Sequence, residues 1–142
     1  MPFVDICLVR GKSPEYLKAV SDSVHQALVE GLGMVPEDRF QLIHEFDRDR
    51  MVFPENFRGG PRTDDFATFK ITDRDNRDTA AKERFYPMPA RLLEKSPGIN
   101  PQDVFVMMYG TTMENFSFAG GVPGTELARW EGHPHTNDTA SA

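Results

Sequence analysis

The second residue of this 142-residue chain is a proline directly behind Met1, and a small second residue is the usual condition for methionine removal. Removal would leave Pro2 as a secondary amine at the chain end. An α-amino group ionises near about 7.7 to 8.0, so burial can make it a free base and a neighbouring carboxylate can keep it cationic. One nitrogen could therefore serve as general base or general acid. It is followed at once by Phe3, at the mouth of an apolar, β-rich run that would hold it rigidly. If Met1 stays attached, the same nitrogen is an amide and can do neither.

Other familiar chemistries find little support. His25 and His44 have no ligand-type partners at useful spacing, and His133-Pro134-His135 lies in a polar terminal stretch, so no metal site is expected. Gly120-Gly121-Val122-Pro123-Gly124 matches neither phosphate-binding glycine motif and reads as a turn, and there is no Gly-x-Ser-x-Gly elbow. A net charge of −6 gives no electrostatic footprint for nucleic acid, and no apolar run approaches the roughly 20 residues that span a bilayer. Cys7 is the sole cysteine, which rules out an intramolecular disulfide, and the opening segment lacks the charged-then-apolar order of a signal peptide. Small molecules and copies of itself are the expected partners, and the cytoplasm is the expected compartment.

The elements that would position Pro2 come in two rounds. Phe3 to Val9 reads as a strand. Ser13-Pro14-Glu15 then reads as a helix start, with a cap, a proline at the first helical position and an acid in the first turn. Leu17, Val20, Val24, Ala27 and Leu28 supply one apolar helix face, which Gly31 and Gly33 are expected to end, and Arg39 to Glu45 reads as the next strand. The same order returns as a strand over 66–72, a helix capped by Asp78 and running to about Lys95, and a strand over 104–109. Gly33 and Gly98, Pro36 and Pro101, Asp38 and Asp103, and Phe40 and Phe105 all stand 65 residues apart, which points to duplication of a βαβ unit.

The expected fold is therefore α/β (α+β): two βαβ repeats, at about 2–45 and 66–109, sharing a four-stranded sheet with two helices on one face. A single domain covers 1–124, with a mobile tail over 125–142. The uncovered sheet face predicts oligomerisation. Pro87 and Pro89 predict a broken second helix. The 46–65 connection is long enough to be a lid or an interface.

The Met-Pro start leading into a strand, the duplicated unit and Pro36-Glu37-Asp38-Arg39-Phe40-Gln41 resemble the tautomerase superfamily, specifically its malonate semialdehyde decarboxylase group. Phe116-Ser117-Phe118 is similar to an aromatic-Ser-Phe motif of that group, and Lys82 with Phe85-Tyr86 resembles its second helix. The resemblance runs from Pro2 to about Gly121. It implies a homotrimer with catalytic prolines near subunit interfaces, acting without metal or organic cofactor. Asp38 matches the family's acid, which positions or activates water near the proline. The family's decarboxylases carry two arginines one residue apart that can grip a carboxylate bidentately. Here Arg77 matches the second by its distance to Lys82, while Arg74 matches the first with two residues between them. Phe116 and Phe118 would face the same way if extended and wall the pocket, and Tyr109 reads as structural.

The function implied is a Pro2-dependent lyase, decarboxylating or hydrating a small oxo-acid. The alternatives are a keto-enol tautomerase of 2-oxo acids and, from another class, a non-catalytic ferredoxin-like binding module.

Overall fold

The first strand, β1 (Phe3–Val9), buries Val4, Ile6 and Leu8 and turns Phe3, Asp5 and Cys7 the other way, as the period-two alternation of a half-covered strand requires. In this computed structural model the described residues are 2–126. Helix α1 (Pro14–Leu32) starts where expected: the Ser13 hydroxyl accepts from the Tyr16 N–H at 3.1 Å, and Pro14 occupies the first turn. Gly33 closes it in the left-handed conformation (φ 69°), its N–H donating to the Val29 carbonyl. Gly31, expected to help end the helix, instead lies inside it. A Cβ there would sit 2.7 Å from Met88 Sδ and 2.9 Å from a Phe85 ring carbon, so its bareness serves a close helix contact.

Strand β2 spans Phe40–Phe46 and β3 spans Ala67–Arg74, two residues beyond the expected end. The second helix is broken as the prolines predicted, into α2 (Thr79–Phe85) and α3 (Pro87–Lys95). Pro87 and Pro89 fall in the first turn of α3, where a missing N–H removes no intrahelical bond. Asp78 caps α2 by accepting from the Ala81 N–H at 2.8 Å. Strand β4 is Val104–Thr111.

The sheet order is β2-β1-β3-β4, with β1 and β2 parallel, β3 and β4 parallel, and β1 and β3 antiparallel at the centre. Phe3 pairs with Phe40 and Ala67 with Val104, so both units carry the same stagger of 37 positions, as a duplication demands. The core lies between sheet and helices and is built on Ile6, Leu8, Val24, Leu28, Phe69, Ile71, Phe85 and Leu93. The opposite sheet face exposes Phe40, Leu42, Phe46, Phe105, Met107 and Tyr109. Among the described residues no helix is long and apolar enough to cross a membrane. The expected tail lies outside them from residue 127 onward.

The 46–65 connection is fastened to the start of the second unit's last strand. Asp103, fully buried, accepts from the Thr63 N–H and hydroxyl, both at 2.7 Å, and the Gln102 side-chain carbonyl accepts from the Gly60 N–H at 2.8 Å. Tyr16 lies nearby. Its phenol is pushed up from 10.0 to about 12, first by burial and then by the negative charges of Asp65 and Asp103. Because the folded phenol ionises later than the unfolded one, its contribution to stability is complete below pH 10.0 and is lost as pH rises through about 12. Spectroscopic titration should therefore show a late tyrosinate component that Tyr16→Phe removes. An alkaline titration unchanged by Tyr16→Phe would contradict this.

Candidate active site

Parallel pairing of Phe3 with Phe40 and antiparallel pairing of Phe3 with Thr72 bring three chain positions to one end of the sheet. These are the start of β1, the turn before β2 and the end of β3. Pro2 is buried there. Asp38, 7% exposed, ends the turn before β2, with its N–H donating to the Val35 carbonyl at 2.9 Å. That turn is anchored to α1 by a 2.8 Å hydrogen bond between His25 Nε2 and the Pro36 carbonyl. His25, considered from sequence only as a metal ligand, thus helps to place the acid.

After β4 the chain makes a short 3-10 turn, Met113–Asn115, and returns across this end of the sheet. Phe116 and Phe118 stack with ring centroids 5.5 Å apart and planes 6° from parallel, and Phe40 lies 6.5 Å from Phe118. The glycine-rich turn fixes this arrangement: the Gly124 N–H donates to the Phe116 carbonyl at 2.7 Å, and a Cβ on Gly124 would meet the Met113 carbonyl at 2.8 Å.

These pieces enclose a cleft of about 150 Å³, lined by Pro2, Asp38, Phe116, Ser117 and Phe118 together with Phe3 and Phe40. Four of the six site residues singled out from sequence are therefore in one place. Its wall is mostly aromatic, with one buried carboxylate. Such a pocket excludes water and strengthens any charge interaction inside it. A proton donor or acceptor at Pro2 would work there on a substrate of a few carbon atoms.

The two arginines are elsewhere. Arg77 points inward: its Nε donates to Asp73 Oδ2 at 2.7 Å and an Nη lies 3.8 Å from Met34 Sδ. Arg74 ends β3 in the same phase as Lys70 and Thr72, on the uncovered face, paired with Thr111. Thr72 and Thr111 line a second, wider cleft of about 520 Å³ with Lys70, Tyr109 and Asn115, and Phe116 borders both clefts. Arg39, adjacent to Asp38, is drawn onto α1, donating to Asp22 at 2.5 Å and to Ser21 at 2.7 Å. Hydrogen bonds from Lys18 and then Arg39 hold the Asp22 carboxyl below its ordinary range. Among the described residues no group of three or more His, Cys, Asp or Glu side chains could hold a metal ion.

Sequence reasoning did not name Ser117 as a wall residue, and it read Asp73 as one of the aspartates of a solvated loop, whereas Asp73 is only 1% exposed. The signal for Asp73 was present: it follows Phe69 and Ile71 at the spacing of the buried face, which makes it a charge in a core position.

Comparison with known proteins gives consistent results. Two family profiles described as tautomerase enzymes match, one over residues 38–119 and one over residues 2–57. A Bacillus subtilis protein named "Probable tautomerase YusQ" is 30% identical over 121 residues, which is 85% of this chain and 95% of that protein. A solved malonate semialdehyde decarboxylase is 25% identical, with a TM-score of 0.82 over 89% of this chain and 97% of that one. A fused 4-OT described as a symmetric trimer shares the fold at 15% identity, with a TM-score of 0.73 over 89% of this chain and 99% of that one.

Proposed function

The chain belongs to the tautomerase enzyme family, and from that premise we propose that it uses the Pro2 amine as a general acid to decarboxylate or hydrate a three- or four-carbon oxo-acid. The observation that carries this reading is the convergence of Pro2, Asp38, Phe116 and Phe118 on one small aromatic cleft. Asp38, bordering that cleft with Pro2, favours the charged form of the amine. A cationic Pro2 hydrogen-bonds the carbonyl oxygen of a 3-oxo acid. As the bond between the carboxylate carbon and C2 breaks, its electron pair moves into a C2–C3 double bond and the charge collects on that oxygen, where the cation stabilises it. Protonation at C2 then gives the aldehyde, with CO2 as the other product. For hydration, Asp38 positions the attacking water.

In this reading Arg74, which ends β3 on the uncovered face opposite Thr111, is the guanidinium that holds the substrate carboxylate. The uncovered apolar sheet face favours assembly of several copies, and a trimer is the expected form by analogy with the fused 4-OT.

A second reading is keto-enol tautomerisation with neutral Pro2 as base, favoured by the name of the Bacillus subtilis relative. Proton NMR of the protein with 3-oxopropanoate, beside Asp38→Asn at equal concentration, separates the two. Acetaldehyde formed rapidly by the parent and at least about 10-fold more slowly by Asp38→Asn supports decarboxylation. Acetaldehyde at only the buffer rate, together with rapid ketonisation of a 2-hydroxy-2,4-dienoate, would select the tautomerase instead.

A further inference from the structure

Taking Pro2 as the reacting amine, on which this step rests, we infer that the buried Asp73–Arg77 ion pair is a positioning device that sets the protonation of that amine, and that Arg77 is not a substrate ligand. Strand β3 turns Ala67, Phe69, Ile71 and Asp73 toward the helices, and Asp73 is only 1% exposed. A carboxylate in such a place is costly unless it is paired. Its partner is Arg77, one turn of chain later, itself largely covered and with its other edge against Met34. A guanidinium committed in this way is not free to swing toward a ligand.

The sheet register states what lies beside the pair. The β1–β3 ladder ends with Phe3 opposite Thr72, and one step further Pro2 comes opposite Asp73. Opposed residues in an antiparallel pair share a face with Cβ atoms about 4.5 to 5.5 Å apart. Pro2 is in phase with buried Val4 and Ile6, and Asp73 with buried Ile71 and Phe69, so both are on the helix side. The amine is thus bracketed by Asp73 from β3 and by Asp38 from the turn before β2.

Among the described residues, several other charges at this end have places of their own, with Glu37 exposed beside Asp38. Arg39 bonds Asp22 and Ser21, Arg74 is on the uncovered face, Asp78 caps α2, and Glu114 is exposed. Asp75 packs over Gly110, where a Cβ would meet its Oδ1 at 2.7 Å. Asp38 and Asp73 both favour the charged form of Pro2. Arg77 moderates this pull by offsetting Asp73, which keeps the amine able to release its proton.

The test is the titration of the Pro2 nitrogen itself, followed by NMR in protein labelled with heavy-nitrogen proline. The other prolines are tertiary amides and do not titrate. Asp73→Asn should lower the Pro2 midpoint by about one unit or more, and Arg77→Gln should raise it by a similar amount. The double variant should return to within about half a unit of the parent, and with Arg77→Gln it carries the test if Asp73→Asn does not fold. Single variants that leave the midpoint within about 0.3 units, or move it in the same direction, overturn the proposal. Absence of any titration in the parent sinks the acid–base reading and this proposal with it, so the two failures are distinguishable. In addition, Arg77→Gln should leave KM for 3-oxopropanoate within about threefold below both midpoints. A rise of about 10-fold or more would return Arg77 to the substrate.

Discussion

A form of the protein bearing one uncleaved residue ahead of Pro2 should lose about 10²- to 10⁴-fold in turnover, the usual contribution of a positioned acid or base. Acylation turns the nitrogen into an amide with no proton to give or take at neutral pH, while the fold and cleft are otherwise kept. Pro2→Ala makes an instructive companion. It retains an ionisable terminal amine but frees the φ rotation that the pyrrolidine ring holds near −65°. Its loss should therefore be smaller than that of the extended form and concentrated in kcat, because what it removes is aim. Intact mass establishes which N-terminus each preparation carries, and the acetaldehyde assay then reads turnover. Equal activity in the extended and processed forms would remove Pro2 from the chemistry.

The largest effect on stability is expected at Phe85. Its ring is fully buried where α2 gives way to α3, pressed against the bare backbone of Gly31 on α1. Truncation to alanine should cost about 3 to 5 kcal/mol, since both the transfer of the ring from water and the cavity left behind count against the fold. The cavity is not easily refilled. Its walls come from two helices already in close contact and from a junction whose geometry is held by Pro87 and Pro89. In a chain of this size the midpoint of thermal unfolding should fall by on the order of 10 °C. Chemical denaturation of Phe85→Ala giving a difference under about 1 kcal/mol would show that the junction collapses to fill the space.

Much of this architecture was readable in advance because it depends on local rules. The Ser13 and Asp78 caps, the alternation of β1 and the prolines that break the second helix each act within a few residues, and the duplication links the two halves. What was not readable depends on partners. The run from Asp73 to Asp78 is polar and looks like a loop, yet β3 continues through Arg74 because β4 extends alongside it to Thr111. That extension turns Asp73 from a solvated charge into a core carboxylate. Gly31 looked like a terminator because its real reason for being glycine lies on another helix. The placement of Phe116 and Phe118 followed from alternation, but the turn that returns them over Pro2 depends on Gly124 meeting Phe116 and Met113.

The clasp between Thr63 and Asp103 has a bearing on stoichiometry. Duplicating a gene copies every side chain but cannot copy a chain terminus. At the spacing that relates the halves, the counterpart of Pro2 is Ala67, whose nitrogen lies in an ordinary peptide bond, and the counterpart of Asp38 is Asp103. With a peptide bond where the first half has Pro2, that second acid fastens the incoming connection. With Pro2 as the reacting amine proposed above, there is one such nitrogen per polypeptide, so an agent that alkylates secondary amines should titrate the protein at one equivalent per chain, however many copies assemble.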